Sequence, residues 1–201
     1  AKSQFIATIA HEIRNPLNGV LGSASILMDE LPDGETKSSI AEIKSSAKSM
    51  RVILDDLLDM TAFESGRLSL EKIPFNLQEI ISSATSLHQS IAEKKGVKFE
   101  LRFEPENPKF KVIGDPTRLQ QIVQNLISNA VKFTSAGQIS CQVQMIKAEL
   151  DNGLVQITVK DTGMGIPTNK LSCLFTPFVQ TDSSNFREFG GSGLGLSITK
   201  S

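Results

Sequence analysis

The sequence predicts an α + α/β chain: an antiparallel helical hairpin that pairs with a second copy as a dimeric four-helix bundle, followed by a two-layer α/β sandwich. Three observations carry this. Apolar residues in the first third recur at alternating steps of 3 and 4. Beyond residue 96 the pattern changes to strict alternation in short runs, the mark of half-buried strands. Between and before those runs, helical periodicity returns behind recognisable caps.

Ile6, Ala10, Ile13, Leu17, Val20, Ala24, Leu27 and Leu31 form the first seam, and Leu31-Pro32-Asp33-Gly34 ends the helix. The second seam runs through Ile40, Ile43, Ala47, Met50, Leu54, Leu57 and Thr61, with Gly66 placed to cap its end. Ile9, Leu21, Met28, Ile53 and Leu58 widen the apolar stripes beyond what one partner helix covers, so a homodimer is expected. Ile73–Asn76 reads as a linker ending in an N-cap, before a helix through Leu77, Ile80, Ile81, Ala84, Leu87 and Ile91 that stops at Gly96. Val97, Phe99, Leu101 and Phe103 alternate with Lys98, Glu100, Arg102 and Glu104 as a strand. Asp115-Pro116 opens a helix to about Phe133. Ile139–Met145 and Val155–Asp161 are two more strands, the second after an Asp151-Asn152-Gly153 turn, and the strands are expected to be antiparallel. The domain division is set at 1–72 and 73–201.

Composition narrows the function. A formal net charge of −1 argues against a nucleic-acid binder, which would carry a basic excess. Cys141 and Cys173 have neither metal-ligand spacing nor a CxxC partner, and read as small hydrophobes in a reducing compartment. No apolar run reaches the ~18 residues of a membrane span and no signal peptide opens the chain. A soluble, cytoplasmic segment without membrane contact is expected, compatible with a membrane-anchored parent.

Four stretches then stand in order: AHEIRNPL at Ala10–Leu17, DPTRLQQIVQNLISNAVKF at Asp115–Phe133, DTGMGI at Asp161–Ile166, and GGSGLGL at Gly190–Leu196. His11 falls one residue off the helix seam, with Asn15 at i+4 on the same outer face and Glu12 beside it. Pro16 cannot donate to the Glu12 carbonyl and should kink the helix there. A neutral imidazole has one basic nitrogen, and a carboxylate that accepts the N–H of the other makes it a competent nucleophile. On residue type alone, an inert surface histidine fits as well. His88 has no adjacent carboxylate and reads as structural or solvated.

Asn125, Asn129 and Lys132 lie at i, i+4 and i+7 on the polar face of their helix, opposite a face read as Leu119, Ile122, Leu126, Ala130 and Phe133. Amide oxygens and an ammonium on one stripe suit Mg²⁺ and a triphosphate; a solvated helix face is the bland alternative. Asp161 shares its side of the strand with Val155, Ile157 and Val159, so it is expected to point into the apolar layer and need a donor. An adenine amino group would serve, with Gly163 and Gly165 admitting the base; a plain Asp-x-Gly turn is the alternative. The run Gly190, Gly191, Gly193 and Gly195 precedes a helix start and could cradle phosphate, yet it is neither a P-loop nor a dinucleotide motif. Thr181–Phe189 reads as a polar lid in which Arg187 either reaches the γ-phosphate or stays solvated.

Taken together these segments resemble the catalytic core of two-component sensor histidine kinases of the HisKA type, with the hybrid kinases as the nearest likeness. The resemblance implies an ATP:protein-L-histidine phosphotransferase. His11 would be the phosphoacceptor, Glu12 its acid/base partner, and Asn15 the residue that orients water when the partner is dephosphorylated. Residues from about 73 would form an ATP-binding domain of the gyrase, chaperone, histidine kinase and mismatch-repair (GHKL) type. In it, Asn129 would hold Mg²⁺, Asn125 and Lys132 would lie at the phosphates, and Asp161 would read adenine. Leu174-Phe175-Thr176-Pro177-Phe178 matches the family's phenylalanine box, placing Phe178 at the nucleotide lid, and Gly191, Gly193 and Gly195 match its second glycine box. The cofactors implied are ATP and Mg²⁺, and the partner a response-regulator receiver domain. Family members continue with more sheet beyond the last helix, so the ATP domain reads as shortened. A GHKL-type ATPase clamp or a scaffold, with His11 a bystander, is the rival reading.

Overall fold

The computed structural model describes residues 2–104, 106, 111–146, 154–177, 179 and 193–200, without the side chains of residues 2–5, 7 and 11. Among these the chain divides into two compact units, residues 1–68 with 175–201, and residues 69–174.

The first unit is built on helices α1 (Lys2–Glu30) and α2 (Glu35–Glu64). Helix α1 continues past Pro16, and Gly66 (φ 63°) follows α2 where a left-handed residue ends the helix. The seams divide by heptad line. Ala10, Leu17 and Ala24 of α1 are buried, as is Ala47 of α2, and Leu17, Leu21, Ala47 and Leu54 pack as one cluster. The complementary line is exposed: Ile13 44%, Val20 44% and Leu27 42% on α1, Ile43 53% and Met50 58% on α2. So one line closes the hairpin and the other does not take part in it. Arg14 crosses to Asp55 with 2.6 Å between Nη2 and Oδ1. Helix α5 (Gly195–Lys200) belongs to this unit and packs on α2.

In the second unit the order is β1 (Ile73–Asn76), α3 (Leu77–Lys94), β2 (Lys98–Glu104), β3 (Lys111–Gly114), α4 (Pro116–Phe133), β4 (Gln138–Ile146) and β5 (Leu154–Asp161), then a 3-10 turn at Thr168–Cys173. Asn76 accepts from the N–H groups of Gln78 and Glu79, and its amide donates to the Glu79 carboxylate at 2.9 Å, a reciprocal cap. Ile81, Val123, Ile127, Ile139 and Cys141 are fully buried where α3 and α4 cover one sheet face, giving the two layers.

Three expectations are corrected. The Ile73–Asn76 stretch is a strand, not a linker: it pairs antiparallel with Lys111–Gly114, Ile73 opposite Gly114. The main sheet, ordered β2-β4-β5, is mixed. β4 and β5 are antiparallel, but β2 and β4 run parallel, because α4 lies in the connection between them and returns the chain to the same end. The buried line of α4 is Val123, Ile127, Ala130 and Val131, while Phe133 is exposed and Leu119, Ile122 and Leu126 lie half-buried on one flank. Helix α4 is apolar over an arc wide enough to offer two stripes, and the sheet takes the β-branched one. The Asp151-Asn152-Gly153 turn lies outside the described residues.

Candidate active site

Helix α4 is fixed at both ends. The Asp115 carboxylate accepts the Arg118 N–H at 3.0 Å and Pro116 occupies the first turn, where no donor is missed. At the other end the Lys95 ammonium donates to the Val131 carbonyl at 2.8 Å, satisfying an acceptor the helix leaves over. Asn125, Asn129 and Lys132 therefore stand at defined heights, all half-buried, on the side away from Val123 and Ile127. The Lys132 ammonium lies 4.8 Å from the Phe133 ring centroid, and burial holds its pKa below the ordinary lysine value.

The turn after β5 abuts the last turn of α4. The Met164 N–H points to the Phe133 carbonyl at 3.4 Å, and a Cβ on residue 163 would collide with that same carbonyl. Only glycine fits at Gly163. Gly165 sits at φ 69°, a conformation that side chains disfavour. This close approach brings the Asp161–Gly165 motif to the Lys132 end of the asparagine stripe.

Asp161 corrects one expectation. It opposes Ile139, which is fully buried, so alternation reads its face correctly. Yet Asp161 is exposed, because it is the last residue of β5 and the apolar layer ends there. One of its oxygens accepts the Gly163 N–H at 2.9 Å.

The remaining candidates fall in the first unit. Glu12 and Asn15 are exposed on α1, and His11 lies in the same helix with its side chain outside the described residues. Gly193 has φ 68° and Gly195 opens α5 behind the buried Leu194. Phe175 and Pro177 line an open cavity of about 320 Å³ with Met60, Phe63, Glu64, Ser197, Ile198 and Lys200. Phe178, Arg187, Gly190 and Gly191 lie outside the described residues, as does the polar stretch 181–189. Among the described residues no group of three or more His, Cys, Asp or Glu could hold a metal, and no helix is long and apolar enough to cross a membrane.

Sequence reasoning missed the Arg14–Asp55 pair, three residues from His11, and the buried Asp56 of α2, while Thr61, read on the second seam, is buried. Opposite charges on two helices predict a pair only once the hairpin register is known. Lys95 was likewise unflagged, although a cation near a helix C-terminus is a recognised signal.

Comparison with known proteins gives the family. Residues 1–66 match the His Kinase A (phospho-acceptor) domain, and residues 114–201 the histidine kinase-, DNA gyrase B-, and HSP90-like ATPase family. The autoinducer 2 sensor kinase/phosphatase LuxQ of Vibrio vulnificus (strain CMCP6) is 40% identical over 201 residues, covering 99% of this chain and 23% of that protein. The full-length ShkA crystal structure in complex with AMPPNP superposes with a TM-score of 0.75 at 30% identity, over 98% of this chain and 40% of that one. Histidine kinase ThkA in complex with response regulator protein TrrA gives a TM-score of 0.56 at 27% identity, over 98% of this chain and 52% of that one. The chain spans about a quarter of the length of the curated relatives it matches. Fold and motifs together define a kinase core that joins a phosphoacceptor hairpin to an ATPase module. The chain belongs to the sensor histidine kinase family, of whose members it represents the catalytic core.

Proposed function

We propose that this chain transfers the γ-phosphoryl group of ATP to His11 and then to an aspartate of a response-regulator receiver domain. The observation that carries the nucleotide half is the close approach of the Gly163 turn to the end of α4, which joins the Asp161 motif to the Asn125, Asn129 and Lys132 stripe. In the transfer, a nitrogen–phosphorus bond forms at the imidazole and the bond from phosphorus to the β-phosphate oxygen breaks, releasing ADP. Glu12, exposed beside His11, takes the imidazole proton. Positioning and charge neutralisation supply most of the acceleration in phosphoryl transfer.

Each binding residue has a role suited to its place. Asp161 keeps one oxygen on the Gly163 amide and offers the other to the adenine amino group. The half-buried Lys132 meets phosphate charge, and Asn125 hydrogen-bonds beside it. The donor set fits Mg²⁺: a half-buried amide oxygen at Asn129, no cluster of carboxylates among the described residues, and phosphates to complete the shell. That ion, when bound, neutralises charge on the β- and γ-phosphates. Phe178, Gly191, Gly193 and Gly195 are assigned to the lid and its phosphate contacts on the motif match alone, and Arg187 on its place in the polar stretch before the glycines. The domain division is kept at 1–72 for the dimerisation and phosphoacceptor part and 73–201 for the ATP-binding part.

The exposed heptad line of Ile13, Val20, Leu27, Ile43 and Met50 supports a homodimer, in which two hairpins cover each other's open stripes. The likeness to LuxQ, a sensor kinase/phosphatase, favours a second output at the same site, with the exposed Asn15 orienting the attacking water.

Incubation with γ-labelled ATP tests the reading. Acid-labile, base-stable label that is lost in both His11→Gln and Asn129→Ala supports it. Label retained by His11→Gln points to a different acceptor and overturns it.

A further inference from the structure

The Asp115 carboxylate makes attachments of two kinds, and only one of them is a helix cap. Oδ1 accepts the Arg118 N–H at 3.0 Å at the start of α4. Oδ2 accepts the Glu71 N–H at 3.2 Å, from a residue 44 positions earlier. Glu71 lies in the stretch without regular structure between α2 and β1.

The reason for this second bond is the end of a ladder. β1 and β3 pair with Ile73 opposite Gly114, so continued pairing would set Lys72 against Asp115 and Glu71 against Pro116. There β3 gives way to α4, and the backbone that would have continued the strand turns into the helix. The Glu71 amide is left without a strand partner, and the side chain of Asp115 replaces it. The Asp115 carboxyl is held below its ordinary pKa chiefly by the Arg118 amide, with lesser help from those of Glu71 and Thr117, against desolvation that pushes the other way. It is thus charged, with both oxygens engaged, at any pH near neutrality.

We infer that Asp115 is a positioning residue that latches the connecting segment onto the first turn of α4, the helix bearing Asn125, Asn129 and Lys132. With the latch closed, Glu71 is tied to the first turn of α4, and only Ser69 and Leu70 separate that tie from Leu68, the last residue of the first unit on this side. With it open, the joint extends to the start of β1 at Ile73 and doubles in length. A longer joint dilutes the nucleotide around the histidine, by at most about threefold for a doubling at the −3/2 power, since the chain also joins the units at Leu174–Phe175. The effect on transfer rests on the kinase reading above; the latch itself does not.

The test uses the whole 201-residue chain. Asp115→Asn keeps a side-chain oxygen that caps α4 as well as aspartate does, but it cannot accept at both positions. Glu71→Pro removes the donor and leaves Asp115 intact. Hydrogen exchange in Asp115→Asn should show the Glu71 amide losing about tenfold protection while the Arg118 amide keeps its own. The Kd for a non-hydrolysable ATP analogue should stay within about twofold, and histidine phosphorylation at saturating ATP should fall, by at most about threefold, in both variants. A Glu71 amide that is unprotected in the parent chain, or unmoved in Asp115→Asn, overturns the latch. So does loss of nucleotide affinity in step with rate, which marks ordinary damage to α4. If the parent chain takes no label on histidine, the kinase reading fails, and the exchange and Kd measurements alone decide the latch.

Discussion

Asp161 and Gly163 are joined by a 2.9 Å hydrogen bond from the glycine amide to one carboxylate oxygen, and this bond separates two roles of a single side chain. One oxygen shapes the turn; the other is the acceptor assigned to adenine. Asp161→Asn can keep its carbonyl on the Gly163 amide while presenting an NH₂ group to another donor. Nucleotide affinity should therefore fall tenfold to a hundredfold, about 1.4–3 kcal/mol, with the unfolding midpoint nearly unchanged. Titration with an ATP analogue beside a melting curve checks this. Unaltered affinity would remove Asp161 from the site.

Gly163→Ala is expected to behave differently. The added Cβ would collide with the Phe133 carbonyl and lie 2.9 Å from the Asp161 oxygen, and neither backbone nor turn can yield cheaply. Stability and affinity should fall together, the former by about 1–3 kcal/mol. A variant that melts like the parent and binds normally would show that the turn does not bear on α4.

The open heptad line makes a prediction about assembly. Val20 and Met50 are exposed by 44% and 58% in the single hairpin, while their heptad neighbours Leu17 and Ala47 are buried. Val20→Lys or Met50→Glu should convert a dimer into monomer in light scattering or sedimentation, because burying an unpaired charge costs several kcal/mol. A parent chain that is monomeric at micromolar concentration would refute the four-helix bundle.

The helices were legible because a 3-and-4 stepping pattern persists over many turns, and the N-caps at Asn76 and Asp115 announce their starts. The candidate asparagine stripe was legible for the same reason. The short strands were not: Lys111–Gly114 has four residues, only Val112 and Gly114 partly buried, and its partner is 37 positions away at the matched residues Phe75 and Val112 and beyond reach of local pattern. Parallel pairing of β2 with β4 depends on where α4 returns the chain, which no window of sequence contains. The exposure of Asp161 follows from the layer ending at Ile139, a fact of packing and not of alternation.

Cys141 should be an inert thiol. Burial raises its pKa to about 11, so the thiolate that reacts is scarce as well as shielded, whereas Cys173 is half-buried. A thiol reagent should modify Cys173 in the native chain and reach Cys141 only with denaturant. Equal native rates for both would contradict the packing of β4.

Lys132 sets up opposite pH responses in folding and binding. Burial is what lowers its pKa, so in the alkaline window between its folded value and the ordinary 10.5 the unfolded chain binds more protons than the folded one. Fold stability contributed by this group therefore rises with pH across that window, and below it the desolvation penalty is present in full. Affinity for phosphate should move the other way, because the ammonium assigned to the phosphate charge is lost as pH rises through the folded value. Bound phosphate favours the charged form, so nucleotide binding in that window should draw protons from the buffer, seen by calorimetry in two buffers of different ionisation enthalpy. Lys132→Met should abolish the proton uptake and flatten both pH profiles. If stability and affinity change with the same sign, or if the variant leaves both profiles as they were, Lys132 does not face the phosphates.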